Sequence, residues 1–170
     1  MDGAGAGGGV AMGDVNGDGR TDVVLTRPFG GARLFLNGGG WKFSDGTAAS
    51  GLGADGDHWG AGCSLADVDN DGDLDLSICG RNGPNRLWLN DGRGKFREVA
   101  KEAGVDGGQG NIVVAWADYD ADGDLDAYLV TGRPADAEGL GAGDAAKVAE
   151  LSRHAVRDEK TGRLTFPKDM

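Results

Sequence analysis

Proline is scarce in this chain, with 4 residues in 170, and the scarcity sits beside 34 glycines. Rigid polyproline and collagen-like sequence are thereby excluded, and the glycine must serve turns and close backbone approaches. Long apolar runs are also missing. No stretch nears the roughly 18 residues of a transmembrane helix, and Met1 to Met12 has neither a basic start nor an apolar run. Membrane insertion is not expected, and any export signal is expected to lie upstream or to have been removed. Histidine is limited to His58 and His154, which fit neither a Ser-His-Asp arrangement nor a His-Cys metal spacing, so no catalytic residue is nominated and a non-enzymatic role is expected. The turn Gly92-Arg-Gly-Lys95 lacks the spacing of a phosphate-binding loop. Positive charge is outnumbered, 17 Lys plus Arg against 28 Asp plus Glu for a net −11. Polyanions are repelled by such a balance, which argues against nucleic acid and acidic membranes as partners.

The acidity is local. Segments 14–22, 67–75 and 118–126 hold 13 of the 28 acids, leaving 15 to face 16 basic residues elsewhere. Acidic charge so concentrated points to a cation.

Those three segments are copies of one pattern. Gly13-Asp-Val-Asn-Gly-Asp-Gly-Arg-Thr-Asp22 returns as Ala66-Asp-Val-Asp-Asn-Asp-Gly-Asp-Leu-Asp75 and as Ala117-Asp-Tyr-Asp-Ala-Asp-Gly-Asp-Leu-Asp126. A second module travels with the first: Arg33-Leu-Phe-Leu-Asn37 before a turn and Trp41-Lys-Phe43, matched by Arg86-Leu-Trp-Leu-Asn90 before a turn and Lys95-Phe96. Each unit therefore reads as a strand, an Asp loop, a strand and a hairpin. The predicted strands are 9–13, 22–26, 33–37 and 41–44 in unit one, and 60–66, 75–79, 86–90 and 95–99 in unit two. Unit three opens with 112–117 and 127–131. Its hairpin is displaced to 154–157 and 163–166 by an insertion at 132–152, in which 144–153 has an N-cap residue followed by helix formers and predicts a short helix. A period near fifty residues with four strands per unit is the signature of propeller blades. The fold class expected is all-β, a partial β-propeller of three blades at about 9–52, 58–105 and 110–170.

Calcium takes six to eight oxygen ligands, and alternate residues of one tight loop can aim several carboxylates at a common centre. The pattern Asp-x-Asp/Asn-x-Asp-Gly-x-x-Asp supplies them, with Gly19, Gly72 and Gly123 at loop position six where the backbone turns sharply. An EF-hand would carry a carboxylate at position twelve. Leu25, Ile78 and Leu129 stand there instead, inside strand-like sequence, so the loop joins two strands. Five carboxylates within nine residues repel one another without a cation.

These loops, with the run Gly9-Val-Ala-Met-Gly-Asp-Val-Asn-Gly-Asp-Gly19, resemble FG-GAP or VCBS repeats, the blades of integrin α-subunit heads and of many bacterial secreted proteins. The hairpins followed by Thr47-Ala-Ala-Ser-Gly-Leu52 and Val99-Ala-Lys-Glu-Ala-Gly-Val105 are similar to the ASPIC/UnbV branch. The resemblance covers about 9–131 and implies three calcium sites, in which loop positions one, three, five and nine give side-chain oxygens and position seven its carbonyl. Loop one would use Asp14, Asn16, Asp18, Asp22 and the Arg20 carbonyl. Loop two would use Asp67, Asp69, Asp71, Asp75 and the Asp73 carbonyl, and loop three Asp118, Asp120, Asp122, Asp126 and the Asp124 carbonyl. Loop one, with Asn16 and Arg20 in place of aspartates, is expected to be the weakest. The resemblance also implies an extracellular, cell-surface or periplasmic setting and a protein or glycan ligand.

Up-and-down strands place the remaining loops at the end opposite the Asp loops. Arg27, Phe29, His58, Trp59, Arg81, Asn82 and the insertion at 132–152 are therefore the expected ligand-binding face. Trp41, Trp88 and Trp116 are expected to pack within or between blades. Cys63 and Cys79 are placed facing each other across an antiparallel pair, where a disulfide would form if the pair geometry allows. Three blades are fewer than a closed propeller needs, so further blades in the same chain or self-assembly are expected. A calcium-dependent polysaccharide-acting enzyme and a structural surface or filament subunit are the alternatives.

Overall fold

The computed structural model describes residues 8–28, 30–54, 58, 60–81, 83–107, 110–131, 149–150, 156–157 and 164–165. Its architecture is all-β, of antiparallel propeller blades. Blade one is a four-stranded sheet of β1 Val10–Gly13, β2 Asp22–Thr26, β3 Ala32–Asn37 and β4 Phe43–Asp45 in that order. Blade two repeats it with β5 Gly60–Ala66, β6 Asp75–Gly80, β7 Arg86–Asn90 and β8 Phe96–Glu98. Blade three begins with β9 Asn111–Ala117 and β10 Asp126–Thr131. A short helix, α1 Thr47–Ser50, and a 3-10 turn at Leu52–Ala54 follow β4. The sequence pattern does not announce them.

The strands are apolar on both faces because a blade packs on both sides. Ala11, Val24 and Leu34 of blade one meet Cys63, Leu76, Ile78 and Trp88 of blade two in one core. Ala61 and Cys79 on the other face of blade two meet Val114, Ala127 and Leu129 of blade three in a second. All six residues of β6, the second strand of the middle blade, are buried. Fully burying side chains such as Leu34, Leu76 and Ile78 stabilises by about 1.5–3 kcal/mol each. The first strands β1, β5 and β9 lie side by side, and a Cβ added at Gly62 of β5 would stand 2.3 Å from the Ile112 carbonyl oxygen. Glycine is required there by this close approach. The outer faces of the end blades carry exposed Val10, Met12 and Leu25 on one side and Val113 and Val130 on the other.

Three expectations are corrected. Cys63 pairs with Ile78, not with Cys79, just as Val10 pairs with Leu25 and Val114 with Leu129. Ala66 opposite Asp75 centres the turn between Asn70 and Asp71, whereas the expected pairing centres it on Asp71. A register one residue away sends a side chain to the opposite face. Cys63 thus lies in the core toward blade one and Cys79 in the core toward blade three, and both are free. Burial pushes the Cys63 thiol up to about 11 and, with the nearby Cys63, the Cys79 thiol up to about 12. Neither is a thiolate near neutrality. A thiol-reactive chromophore is expected to label no cysteine in the folded protein and both after denaturation; rapid labelling of native protein would contradict this placement.

The second correction concerns the insertion. Ala149–Glu150, within the segment expected to be helical, is strand β11 and pairs with Tyr128 and Leu129 of β10. Ten residues make a marginal helix on their own, and the open edge of β10 offers unpaired backbone groups. The displaced hairpin is present as β12 Val156–Arg157 against β13 Leu164–Thr165, forming a two-stranded sheet of its own. The rest of the insertion lies outside the described residues. The third correction is Trp41, which stands 93% exposed on the β3–β4 turn with φ 60, so it is no packing residue. Trp88 is buried, and half-buried Trp116 donates from Nε1 to Ser77 Oγ at 3.1 Å, tying blade three to blade two.

Candidate metal centres

Each Asp loop leaves the first strand of a blade and returns into the second, and one hydrogen-bond scheme shapes all three. The position-one carboxylate accepts the amide N–H of position five, at 3.2 Å from Asp18 to Asp14, 3.0 Å from Asp71 to Asp67 and 3.2 Å from Asp122 to Asp118. It also accepts the N–H of the position-six glycine, at 2.6, 3.0 and 3.1 Å. Position seven donates to the position-five carboxylate at 3.0, 2.9 and 2.9 Å. Position two donates to the position-nine carboxylate, Asp22, Asp75 or Asp126, at 3.1, 2.9 and 3.0 Å. The position-six glycines have φ of 79, 95 and 96°. Position four is left-handed as well, in Gly17, Asn70 and even Ala121, with φ of 72, 58 and 62°.

The sequence reading missed Asn37 and Asn90, although their recurrence at the end of the Arg-Leu-x-Leu-Asn module was the signal. Asn37 N–H donates to Asp22 Oδ1 at 2.8 Å and its side-chain amide to the Thr21 carbonyl at 3.0 Å. Asn90 does the same for loop two, to Asp75 Oδ1 at 2.9 Å and the Leu74 carbonyl at 3.1 Å. Its amide also reaches the Val15 carbonyl of loop one at 2.9 Å. The third strand of each of these blades therefore clamps the loop of its own blade.

Carboxylates converge in two loops. Oxygens of Asp67, Asp69 and Asp71, and of Asp118, Asp120 and Asp126, lie within 4.8 Å of one another. Burial and then the neighbouring Asp71 charge push Asp69 up to about 6, and burial pushes Asp75 up to about 7 against the two N–H groups it accepts. Asp73 and Asp120 are raised too, by burial first and then by like charges. Loop one differs. The slight burial of Asp14 is outweighed by four backbone N–H groups that hold its carboxyl below the usual range, and the Arg20 guanidinium pairs with Asp18 at 2.5 Å. Among the described residues, three-carboxylate groups occur in loops two and three.

The donor set fits calcium. It is all oxygen and multiply charged, and Asp69 Oδ1 is buried without a hydrogen-bond partner, a position that a cation would satisfy. Asp67, Asp69, Asp71 and Asp75 would hold the ion in loop two, and Asp118, Asp120, Asp122 and Asp126 in loop three, with the Asp73 and Asp124 carbonyls. Bound calcium would supply charge neutralisation and cross-link loop halves that otherwise repel.

At the opposite end, Arg27 donates to the Gly30 carbonyl at 2.7 Å, and its own carbonyl accepts Gly60 N–H at 3.2 Å. Gly110 N–H donates to the Arg81 carbonyl at 2.9 Å. His58 is buried, with Nε2 2.8 Å from the Pro84 carbonyl oxygen, so its ring packs beneath this end and does not project from it. Asn85 and Asn111 form a buried pair at 2.7 Å between blades two and three. Phe29, Trp59 and Asn82 lie outside the described residues.

Repeated four-stranded sheets, each with an acidic loop between its first two strands, define a β-propeller blade protein. The chain belongs to the FG-GAP-like repeat family, whose pattern matches residues 14–78 and again 67–129. Mouse cartilage acidic protein 1 is 32% identical over 127 residues, which cover 73% of this chain and 19% of that protein. Its human counterpart is 31% identical over 124 residues, 71% of this chain and 18% of that protein. The Xenopus tropicalis counterpart is 31% identical over 124 residues, with 71% and 19% covered. The chain spans about a fifth of the length of these curated relatives.

Proposed function

We propose that this chain is a calcium-stabilised recognition module of an extracellular protein, with calcium fixing the Asp loops at one end and the opposite end contacting a protein or glycan. The observation that carries the reading is the convergence of carboxylates in loops two and three, with a buried oxygen of Asp69 in loop two that lacks a partner. FG-GAP-like repeats on most of the chain support it, as does a set of relatives whose name joins cartilage with acidity. The role is binding and not catalysis. The exposed apolar faces of the end blades favour further blades, or other copies, packing beside these three.

Glycan- and protein-array binding in calcium and in chelator tests the reading. Bound partners are expected with calcium, are lost on chelation, and are lost on deleting 136–150 together with Trp59→Ala. Binding that survives both the deletion and Trp59→Ala would remove the recognition face from this end.

A further inference from the structure

Asn70 sits at position four of loop two, between Asp69 and Asp71, and its side chain leaves its own blade. Nδ2 donates to Asp124 Oδ1 at 2.8 Å and to the Gly123 carbonyl at 3.1 Å, both in loop three. Those are loop-three positions seven and six, the sharp turn whose position-seven carbonyl completes the donor set. One amide thus spans two neighbouring loops, its backbone held between two carboxylates of one and its two hydrogens committed to the turn of the other. Positions four of the other loops make the contrast. Gly17 has no side chain, and Ala121 has only a methyl group, so neither can reach a neighbour in this way.

We propose that Asn70 is a positioning residue that couples metal binding in loops two and three. This rests on the reading of both loops as calcium sites. Ordering loop two fixes the amide, and the fixed amide holds the Gly123–Asp124 turn in its ligating conformation. Linkage makes the effect reciprocal, so ordering loop three in turn favours loop two.

The loops report separately. Gly72 and Gly123 amides, each bonded to the position-one aspartate of its own loop, serve as resonances in a calcium titration of the intact, metal-stripped chain. Disabling loop three with Asp122→Ala is expected to raise the calcium midpoint of Gly72 about fivefold or more, within the usual range of coupling between sites. In an Asn70→Gly background, which keeps the left-handed backbone, both resonances still titrate, and adding Asp122→Ala no longer moves the Gly72 midpoint. Asn70→Asp sets a carboxylate against Asp124 and is expected to weaken loop three, an effect that a merely structural loop residue would not produce. An unmoved Gly72 midpoint in Asp122→Ala, or the same shift with and without the Asn70 amide, overturns the coupling while leaving calcium binding intact. No calcium response at Gly72 and Gly123 overturns the calcium reading and the coupling together.

Discussion

Chelation is expected to lower the melting temperature by roughly 10 °C. Extracellular calcium modules often bind with dissociation constants near 10⁻⁴–10⁻³ M. At ten times that constant, one native-only site contributes RT ln 11, about 1.4 kcal/mol, and three contribute about 4 kcal/mol. For a chain of this size each kcal/mol moves the midpoint by about 2–4 °C. Magnesium is expected to rescue poorly, because it demands a smaller octahedral shell. Calorimetric titration of metal-stripped protein should show one ion fewer in Asp71→Ala and in Asp122→Ala. Asp18→Ala should matter less, since Arg20 already occupies that carboxylate. The pH dependence has a definite sign. Asp69 and Asp75 have folded pKa values raised to about 6 and about 7, so they favour the metal-free fold at low pH, fully so below the unfolded carboxylate range. That contribution is lost as pH rises through 6 to 7. Protons compete with calcium over the same range, so the gap between melting points with calcium and with chelator should widen from pH 5 to pH 8. Identical melting curves with and without chelator, and no heat on adding calcium, would sink the calcium reading.

The second large effect belongs to Asp75, and it persists without metal. This side chain is 1% exposed, and its two oxygens accept the N–H groups of Val68 and Asn90 at 2.9 Å each. Alanine strands both donors in a buried turn. Each unsatisfied buried group costs about 1–3 kcal/mol, so Asp75→Ala is expected to destabilise by about 2–5 kcal/mol in chelator as well as in calcium. Asp71→Ala makes the opposite comparison, because it is exposed and surrounded by like charge. Losing it should cost stability in calcium and little or nothing in chelator. Thermal melts of both variants in both buffers decide the matter. If Asp75→Ala melts with the wild type in chelator, the carboxylate is only a metal ligand and not a loop staple.

Much of this protein was legible from local pattern. The strand ends of blades one and two fall within a residue or two of those read from the Asp loops and the Arg-Leu-x-Leu-Asn modules, because hairpin turns and alternating burial are decided by neighbours in the chain. The acidic clusters of loops two and three were legible for the same reason, since each lies within nine consecutive residues. What escaped the sequence depended on partners far away along it. Cys63 and Cys79 are separated by a register that is one residue off the apparent symmetry of the turn, and so they enter different cores. His58 is spent on the Pro84 carbonyl across the blade. Ala149–Glu150 gives up helical propensity to the open edge of β10, an edge that exists only once the blade has formed. Asn90 and Asn70 look like ordinary turn and strand-end residues in the sequence. Only the packing of blade against blade brings their amides onto the carbonyls of the next loop, because an amide gains its partner from tertiary distance and not from spacing in the chain.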